Sequence, residues 1–291
     1  MAIKDFKCTY ENSVGVNKEL TSGMDVSFPD AYLHRETMVK LSLAVKQYDH
    51  AGFCVLPFCC TLEAEAMGGQ INMGNENIGP RAKDYVCSSV EELLKLPAID
   101  FTKGRIHETL MAAKQLTDAG EYVVYEVTGP FTVLNGLIDP KYVFKGMRKQ
   151  PELMEKVFKH LGEQLIEYIK QIKACGVQFI SYADSSGGLN ILGPKVMEQV
   201  TKTFTYDFLK EVYKLADDKT MILLCPKTTY ALIGTEVAKF VEHELEQPDR
   251  YGESCIQMLG KVKMAGQMCI KNIEYRLESG RFKEVLLKDE V

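Results

Sequence analysis

The feature that most constrains the fold is a regular alternation of helical patterns and short apolar runs. Apolar residues recur with helical spacing in four segments: Glu36 to His50, His107 to Ala119, Pro151 to Cys175, and Pro194 to Asp217. Five short apolar runs predict strands: Phe53 to Phe58, Tyr122 to Val127, Val177 to Tyr182, Thr220 to Leu224, and Lys261 to Met264. Because parallel strands need a long crossover, usually a helix, this alternation predicts an α/β fold made of βαβ units. Five strands do not by themselves distinguish an eight-stranded barrel from a doubly wound sheet.

The chain is long enough, at 291 residues, for one large α/β domain. We interpret residues 1–30, which are irregular and rich in turn formers, as an N-terminal arm. Residues 31–291 are interpreted as a single barrel domain, since no repeat or linker divides them. The charged segment 242–249 is interpreted as a solvated helix end and not as a domain boundary.

Composition argues against several classes of partner. The 35 basic and 40 acidic residues give a formal net charge of -5, which leaves no large positive field for nucleic acid or anionic lipid. No uninterrupted apolar run reaches about 18 residues, the usual transmembrane length. The nine cysteines form no framework pattern and suit reduced thiols. We therefore expect a cytoplasmic protein with no nucleic-acid or membrane partner.

Polar residues stand at the carboxyl ends of the predicted strands. In both candidate folds the active site lies at that edge of the sheet. The segments found there are Cys59-Cys60-Thr61, Thr128-Gly129-Pro130, Asp184-Ser185 and Cys225-Pro226-Lys227. We predict that the substrate is contacted there by four residues, namely Thr61, Thr128, Gly129 and Tyr182.

Two carboxylates at this edge are candidates for catalysis. Asp184 follows an apolar strand and is suited to bind or protonate a substrate heteroatom, although a role as the cap of a following turn or helix explains its position about equally well. Glu63 and Glu65 diverge by about 200° on a helix, so only one can face the site, and Glu63 is nearer to the strand end. Gly129 would let the backbone approach a ligand closely, although a tight turn would have the same sequence.

Cys225 and Cys269 each follow a predicted strand beside a turn residue, so both side chains can point into one barrel mouth. A pair of thiolates is a soft ligand set for zinc, but a zinc site needs at least a third ligand. The alternative is that both residues are small buried hydrophobic side chains, as free cysteines commonly are.

Three segments carry a resemblance to a known family. Residues 56–68 read Leu-Pro-Phe-Cys-Cys-Thr-Leu-Glu-Ala-Glu-Ala-Met-Gly, residues 127–132 read Val-Thr-Gly-Pro-Phe-Thr, and residues 183–184 place Ala-Asp after a strand. Together they resemble the methylcobamide:coenzyme M methyltransferase branch of the uroporphyrinogen decarboxylase superfamily. The resemblance extends over about residues 29–227.

This resemblance implies a (β/α)8 TIM-type barrel, truncated or irregular at the C-terminal end of this shorter chain. It implies a corrinoid-dependent methyltransferase that moves a methyl group between a corrinoid protein and a small-molecule methyl donor or acceptor such as a thiol or a folate. The cofactors it implies are methylcobalamin, carried by the partner protein, and zinc, which makes a thiol acceptor anionic by lowering its pKa. Under it, Cys225 and Cys269 hold the metal, while Asp184 and Glu63 position or protonate the substrate. A homodimer is compatible with the sequence.

The sequence departs from that branch at the implied metal site. Where the branch carries His-X-Cys-Gly, residues 223–226 read Leu-Leu-Cys-Pro, so Leu223 replaces a histidine ligand. The second family cysteine, in a Gly-Cys-Gly segment, is matched loosely by Cys269. If zinc binds, the candidates for a third ligand are His243, Glu253 and Cys255; the alternative is that the metal has been lost.

Two other functions are compatible with the same family. A uroporphyrinogen decarboxylase is expected to carry an Arg-Gln-Ala-Gly-Arg type segment near its start, and this chain has none, so a decarboxylase-like tetrapyrrole enzyme is the disfavoured alternative. A non-catalytic barrel that binds a corrinoid protein or a tetrapyrrole is the other, since it would retain the fold while losing metal ligands.

Overall fold

A computed structural model gives the structure of residues 3–8, 15–16 and 18–290. The strands are β1 (Cys54–Leu56), β2 (Ile71–Asn72), β3 (Arg81–Ala82), β4 (Val123–Thr128), β5 (Phe179–Ala183), β6 (Met221–Leu224), β7 (Ala238–Glu244), β8 (Met264–Ala265) and β9 (Arg281–Leu287). The α-helices are α1 (Lys18–Thr21), α2 (Arg35–Tyr48), α3 (Leu62–Ala66), α4 (Val90–Leu93), α5 (Gly104–Asp118), α6 (Pro130–Asn135), α7 (Pro140–Lys149), α8 (Pro151–Ala174), α9 (Leu189–Val200), α10 (Tyr206–Tyr213), α11 (Pro226–Gly234) and α12 (Tyr251–Met258). Short 3-10 turns cover Asp30–Tyr32, Ser185–Gly187 and Lys288–Glu290.

Five strands form a parallel ladder in the order in which they occur along the chain. β1 pairs with β4, β4 with β5, β5 with β6, and β6 with β8, each in parallel. These are the five strands that the apolar runs predict, and helices lie between consecutive members of the ladder. Strands that neighbour each other in chain order with helical crossovers are the arrangement of a (β/α) barrel.

The C-terminal part of the sheet departs from this repeat, as the resemblance implies. β9 runs antiparallel to β8, and β7 runs antiparallel to β9 over seven residue pairs. In the described residues, β1 and β7 form the two ends of the seven-stranded sheet. The short pair β2 and β3 forms a separate antiparallel ribbon.

The interpretation of residues 242–249 as a helix end is wrong. Glu242, His243 and Glu244 belong to β7, where Glu242 and Glu244 are exposed and His243 between them is partly buried. A strand with one face in water alternates charged and partly buried residues. The prediction failed because the charge of this segment was given more weight than its period of two.

The four predicted helices are confirmed, with one change of extent. The segment predicted from Pro194 to Asp217 begins at Leu189 and ends at Tyr213. Gly193 interrupts it with a φ of +71°, a backbone conformation that favours glycine, and Thr201–Thr205 forms a π-helical segment. Within the described residues, no helix is long and apolar enough to cross a membrane.

The strands of the ladder bury both faces. One apolar cluster fills the interior of the barrel and includes Phe53, Val124, Phe179 and Leu223. The larger cluster lies between the outer face of the strands and the surrounding helices, and it includes Tyr125 and its strand neighbour Val127. Because successive side chains of a strand point to opposite faces, each position is assigned to the interior or to the helix layer.

Candidate active site

The barrel interior changes from apolar to polar between two successive levels of side chains. Val124 pairs with Phe179 across the β4–β5 ladder, and both belong to the interior apolar cluster. Two residues further along each strand, Glu126 pairs with Ser181, and Ser181 in turn pairs with Leu223 of β6. Side chains two residues apart share a face, so Glu126 and Ser181 point into the same interior. The polar level therefore lies directly above an apolar floor.

Glu126 forms a buried ion pair with Lys271 at this polar level. The distance between Lys271 Nζ and Glu126 Oε2 is 2.6 Å, and the two side chains are only 10% and 6% exposed. Lys271 comes from the segment between β8 and β9, so the pair joins the middle of the barrel to its C-terminal part. Burying two charges is costly, and a short contact between them offsets part of that cost.

Glu63 lies near Glu126 and also near Tyr125 and Tyr168 of the helix layer, and its predicted place in the site stays a prediction. Its Oε1 atom accepts a hydrogen bond of 2.7 Å from the backbone N–H of Thr128, and the Thr128 hydroxyl also bonds the carboxyl group. Burial raises the pKa of Glu63 to about 7, the hydrogen bonds from Thr128 oppose this, and the nearby Glu126 adds to it. A carboxyl group with such a pKa can both accept and donate a proton near neutral pH.

Glu65 points away from the interior and forms a structural cluster with Arg105. Arg105 Nε donates to Glu65 Oε2 at 2.7 Å, and the guanidinium also donates to Thr61 Oγ1 at 2.8 Å and to Cys59 Sγ at 3.0 Å. The side chain of Arg105 is 4% exposed. Thr61 is thus occupied in linking α3 to α5, which does not support the predicted contact with substrate.

Cys225 and Cys269 lie close enough to interact electrostatically, as expected if both point into one mouth. Burial raises the pKa of Cys225 to about 12, and the thiol of Cys269 raises it further. Burial also raises the pKa of Cys269, while the backbone N–H and the charge of Lys271 lower it. Cys8 of the N-terminal arm interacts with both thiols. These groups lie on the same side of the barrel as the ion pair.

Cys60 is a further thiol beside the ion pair. Burial raises its pKa to about 12, Glu126 raises it further, and Lys271 lowers it. Two carboxyl groups, one ammonium group and several thiols therefore surround the polar level of the interior.

The three proposed third ligands lie elsewhere and are occupied. His243 Nε2 is 2.8 Å from Glu284 Oε2, across the β7–β9 pair. Glu253 Oε1 accepts hydrogen bonds from the backbone N–H of Gly52 and from Arg250. Cys255 is 1% exposed and packs within the interior apolar cluster. The prediction that one of them completes a site with Cys225 and Cys269 is therefore corrected.

The residues present do not fit a structural or catalytic zinc ion. Such an ion needs at least three protein ligands. In the described part of the chain, no group of three histidine, cysteine or acidic side chains is arranged to hold a metal ion. Leu223 occupies the position at which the resemblance implies a histidine, and it belongs to the interior apolar cluster. We derive no step through zinc.

Asp184 caps α6, a helix that comes earlier in the chain than Asp184 itself. Its carboxylate accepts hydrogen bonds from the backbone N–H groups of Phe131 and Thr132, at 3.1 and 2.8 Å, and from the Thr132 hydroxyl at 2.8 Å. These are donors of the first turn of α6. Burial raises the pKa of Asp184, and these hydrogen bonds oppose it. This cap differs from the alternative considered from the sequence, which is a cap of the turn or helix that follows Asp184. A catalytic role stays a prediction.

Gly129 is required by Asp184 and not by a ligand. A Cβ atom at Gly129 would lie 2.4 Å from the Cβ atom of Asp184. This distance is too short for two carbon atoms that are not bonded to each other. The close approach that the sequence suggests at this glycine thus brings β4 and β5 together at their carboxyl ends. The proposal of a ligand contact at Gly129 has no geometric support.

Tyr182 and Thr128 lie on opposite faces of their strands. The Tyr182 ring packs against Phe208 of α10, with 5.3 Å between ring centroids, and belongs to the helix layer. This position corrects the prediction that Tyr182 contacts substrate. Thr128 shares the inward face with Glu126 and its backbone N–H donates to Glu63, and its predicted contact with substrate stays a prediction.

Two clefts meet at Lys271 and Ile273 and give access to the polar level. One is lined by barrel and arm residues that include Tyr32, Pro57 and Phe58. The other is lined by Phe6, Cys8, Cys269, Lys271, Asn272, Ile273 and Glu274. Residues 3–8 of the arm lie over α11, since the Phe6 and Tyr230 rings are 6.3 Å apart. The arm therefore forms part of the wall of the site.

Sequence reasoning missed Glu126, Lys271 and Arg105. For Glu126 a signal existed, because a carboxylate stands inside the otherwise apolar run Val-Val-Tyr-Glu-Val-Thr of β4, two residues from Val124 and from Thr128. A charge within a fully buried strand needs a partner. Lys271 carried no such signal, since it lies in an irregular segment and is one of many lysines.

Comparison with known proteins assigns the chain to a family. The uroporphyrinogen decarboxylase (URO-D) family model matches residues 15–240. The chain belongs to this family. A solved structure, described as a methyltransferase from Methanosarcina mazei, superposes with a TM-score of 0.62 at 25% sequence identity, over 77% of this chain and 68% of the other. The fold is therefore an α/β barrel of the TIM type, as the resemblance implies.

Curated relatives carry the name methylcobamide:CoM methyltransferase. MtaA of Methanosarcina barkeri strain Fusaro is 25% identical over 217 residues, which cover 74% of this chain and 63% of the relative. MtbA of Methanosarcina mazei is 25% identical over 211 residues, covering 70% of this chain and 61% of the relative. The match thus spans less than two thirds of the length of these relatives.

Proposed function

We propose that this protein is a methyltransferase that moves a methyl group between a corrinoid carried by a partner protein and a small molecule. Membership of the URO-D family and the names of the methyltransferase relatives support this function. The observation that carries it is the buried ion pair of Glu126 and Lys271, with Glu63 beside it, near the carboxyl ends of the parallel strands, where barrel enzymes perform catalysis. Of these three residues, Lys271 lines both clefts. A cytoplasmic location is part of the proposal.

The residues of this chain supply a proton acceptor and a positive charge. An acceptor group X–H, such as a thiol, loses its proton to Glu63, whose pKa of about 7 suits a general base at neutral pH. Lys271, held by Glu126, stabilises the resulting anion. The X–CH3 bond then forms as the bond between the methyl group and its donor breaks, with the bonding electron pair staying on the donor. The proton leaves Glu63 for solvent.

The methyl donor in this scheme is a substrate that a second protein presents. A methylated corrinoid supplies an electrophilic methyl group, and its ring is too large for a closed pocket, so the partner must cover the barrel mouth. Asp184 fixes the first turn of α6 at this mouth and thereby positions the adjoining loop. In the opposite direction of transfer, the same groups would protonate a demethylated product.

A decarboxylase-like function has less support from the site. Tetrapyrrole carboxylates would need several cationic partners, and arginine is the side chain suited to bind them in pairs. The two clefts that meet at Lys271, within the described residues, are lined by no arginine. The polar level instead carries two carboxyl groups, which would repel an anionic tetrapyrrole.

Transfer of a labelled methyl group tests the proposed function. The protein is incubated anaerobically with deuteromethyl-labelled methylcob(III)alamin and, separately, with a simple thiol and with tetrahydrofolate, and products are identified by mass spectrometry. We expect a labelled thioether or methylfolate whose formation depends on the protein. In parallel, uroporphyrinogen is supplied and carboxylate loss is measured. Carboxylate loss without any labelled methyl product would contradict the proposal.

A matched pair of variants ties the product to the site. Glu63→Gln removes the proposed base, whereas Glu65→Gln changes the neighbouring glutamate that faces Arg105. We expect the first to slow product formation by at least about 100-fold and the second to leave it within a few-fold of wild type, after the folded fraction of each is matched. If the two substitutions slowed product formation equally, Glu63 would not be the base of the reaction.

A further inference from the structure

We infer that the cationic group of this site is the Lys271 ammonium and that the Cys225 and Cys269 pair does not bind a metal ion. This inference deepens the proposed function, on which it rests, by naming the residue that stabilises the anionic acceptor. It departs from what the family resemblance implies, and it is argued from the groups that this chain places around the barrel interior.

The ammonium group of Lys271 lies at the same level of the barrel as Leu223, which replaces the histidine that the resemblance implies. Ladder register places Glu126, Ser181 and Leu223 side by side on β4, β5 and β6. Lys271 contacts Glu126 at this level, 2.6 Å away, and Cys225 stands two residues beyond Leu223 on the same face of the chain. The site therefore presents an apolar side chain and a positive charge where a metal site would need a neutral or anionic ligand.

A fixed positive charge opposes a dication in the same region. Lys271 is close enough to Cys269 and to Cys60 for its charge to act on both thiols. Cys8 lies near both Cys225 and Cys269, but within the described residues no three such groups are arranged to hold a metal ion. The positive charge of Lys271 adds to the cost of removing the zinc hydration shell.

The same charge is suited to hold an anion. The side chain of Lys271 is only 10% exposed, and the residue lines both clefts, so an acceptor that enters either cleft would come close to Lys271. The contact with Glu126 fixes the direction of its side chain. A bound thiol would become anionic as its proton moves to Glu63, and Lys271 would lower the energy of that anion. The inferred substrate form is an acceptor whose reacting atom carries a negative charge beside Lys271.

Cobalt binding tests the absence of a metal site directly. Chelator-treated protein is titrated anaerobically with Co²⁺, which gives a thiolate-to-cobalt charge-transfer band when cysteines bind it. We expect no such band at one equivalent, and less than about 0.1 zinc per chain in protein purified without chelator. A stoichiometric band or zinc content that the Cys225→Ser variant loses would overturn the inference.

Substitution of Lys271 tests its role in methyl transfer. We expect Lys271→Met to lower the rate of thiol methylation at least about 100-fold, Lys271→Arg to restore part of it, and the exposed Lys261→Met to have no effect. The Glu126→Gln, Lys271→Met double variant removes both charges of the pair and therefore serves as the control for an unpaired buried charge. Circular dichroism measures whether each variant is folded. An unchanged rate in Lys271→Met would overturn the inference.

The inference and the proposed function fail in different ways. If wild-type protein methylates thiols only after zinc is added, and chelation abolishes the reaction, Lys271 is not the required cation although the protein is still a methyltransferase. If wild-type protein gives no methylated product with or without zinc, the proposed function itself fails.

Discussion

Single residues determine the chemistry of this barrel, and the most consequential pair is Glu126 and Lys271. Both side chains are nearly inaccessible, so neither charge is solvated by bulk water. Each is therefore stabilised chiefly by the other and by nearby dipoles. The apolar floor beneath them, which includes Val124 and Phe179, keeps the surroundings low in polarity and strengthens their interaction.

Breaking this pair should destabilise the protein strongly. Glu126→Gln or Lys271→Met leaves one buried charge without its partner, and we expect a loss of about 3–5 kcal/mol in the free energy of unfolding. The double variant should be less destabilised than the sum of the two single variants. Urea unfolding followed by circular dichroism measures this. Lys114→Ala, which removes an exposed ion pair with Asp118, is the matched control and should change little.

Glu63 should make stability depend on pH between about 4.5 and 7. Burial raises its pKa to about 7 in the folded protein from an ordinary value of 4.5, so the folded state binds more protons than the unfolded state in this range. Its contribution is present in full below pH 4.5 and is lost as the pH rises through 7. The charged and titratable groups that face it are Glu126, Cys60, Tyr125 and Tyr168.

The Glu63→Gln variant tests this dependence. Wild type should lose roughly 2–3 kcal/mol of unfolding free energy between pH 4.5 and pH 8 relative to this variant. Denaturant midpoints measured across that range for both proteins give the difference. Parallel curves for the two proteins would mean that Glu63 ionises in the folded state as it does in water.

At the scale of secondary structure, α6 depends on a carboxylate from the next strand. The first turn of a helix has backbone N–H groups without intrahelical partners, and Asp184 satisfies those of Phe131 and Thr132. The contact also joins the carboxyl ends of β4 and β5. Gly129 makes room for it, because a side chain there would collide with Asp184.

Removal of this cap should cost stability without abolishing the fold. Asp184→Ala leaves buried N–H groups unsatisfied, and we expect a loss of about 2–3 kcal/mol. Asp139→Ala, which removes the solvent-exposed cap of α7, should cost less. Thermal unfolding of both variants measures the difference. Equal losses of unfolding free energy in the two variants would show that the buried cap contributes no more to stability than the exposed one.

The elements that could be predicted from sequence are those whose signal is local. The strands β1, β4, β5, β6 and β8 are short and apolar between helical segments, so their period and length identify them. β7 and β9 could not be identified in this way, because β7 carries alternating charges and its pairing with β9 is fixed by contacts distant in sequence. The short helix α6 was missed for a similar reason, since Asp184 caps it from another part of the chain.

At the scale of the whole molecule, the barrel brings the site together from segments far apart in sequence. The position of Glu63 on a short helix after a strand end could be predicted, whereas its contacts with Thr128 and Glu126 could not. The approach of Cys225 and Cys269 could also be predicted, from two strand ends. The partner of Glu126 could not be predicted, since Lys271 lies 145 positions away in an irregular segment and only the tertiary structure brings the two residues together.

The N-terminal arm contributes to the site as well. Ile3 packs closely on Gly234 at the end of α11, where an added Cβ atom would lie 2.6 Å from the Ile3 Cα atom. Phe6 and Cys8 line the cleft that leads to Lys271. Interpretation of residues 1–30 as an arm remains a prediction about domain organisation, but the described part of this segment contacts the barrel beside its active-site edge.

The most direct test of the account is the rate of methyl transfer in the Glu126→Gln variant. Loss of methylcob(III)alamin absorbance in the presence of a thiol is followed anaerobically for this variant, for wild type, and for Glu242→Gln, which changes an exposed glutamate of β7. We predict that Glu126→Gln lowers the rate at least about 100-fold while Glu242→Gln retains it. An undiminished rate in folded Glu126→Gln protein would contradict the claim that the polar level of the barrel interior is the site of methyl transfer.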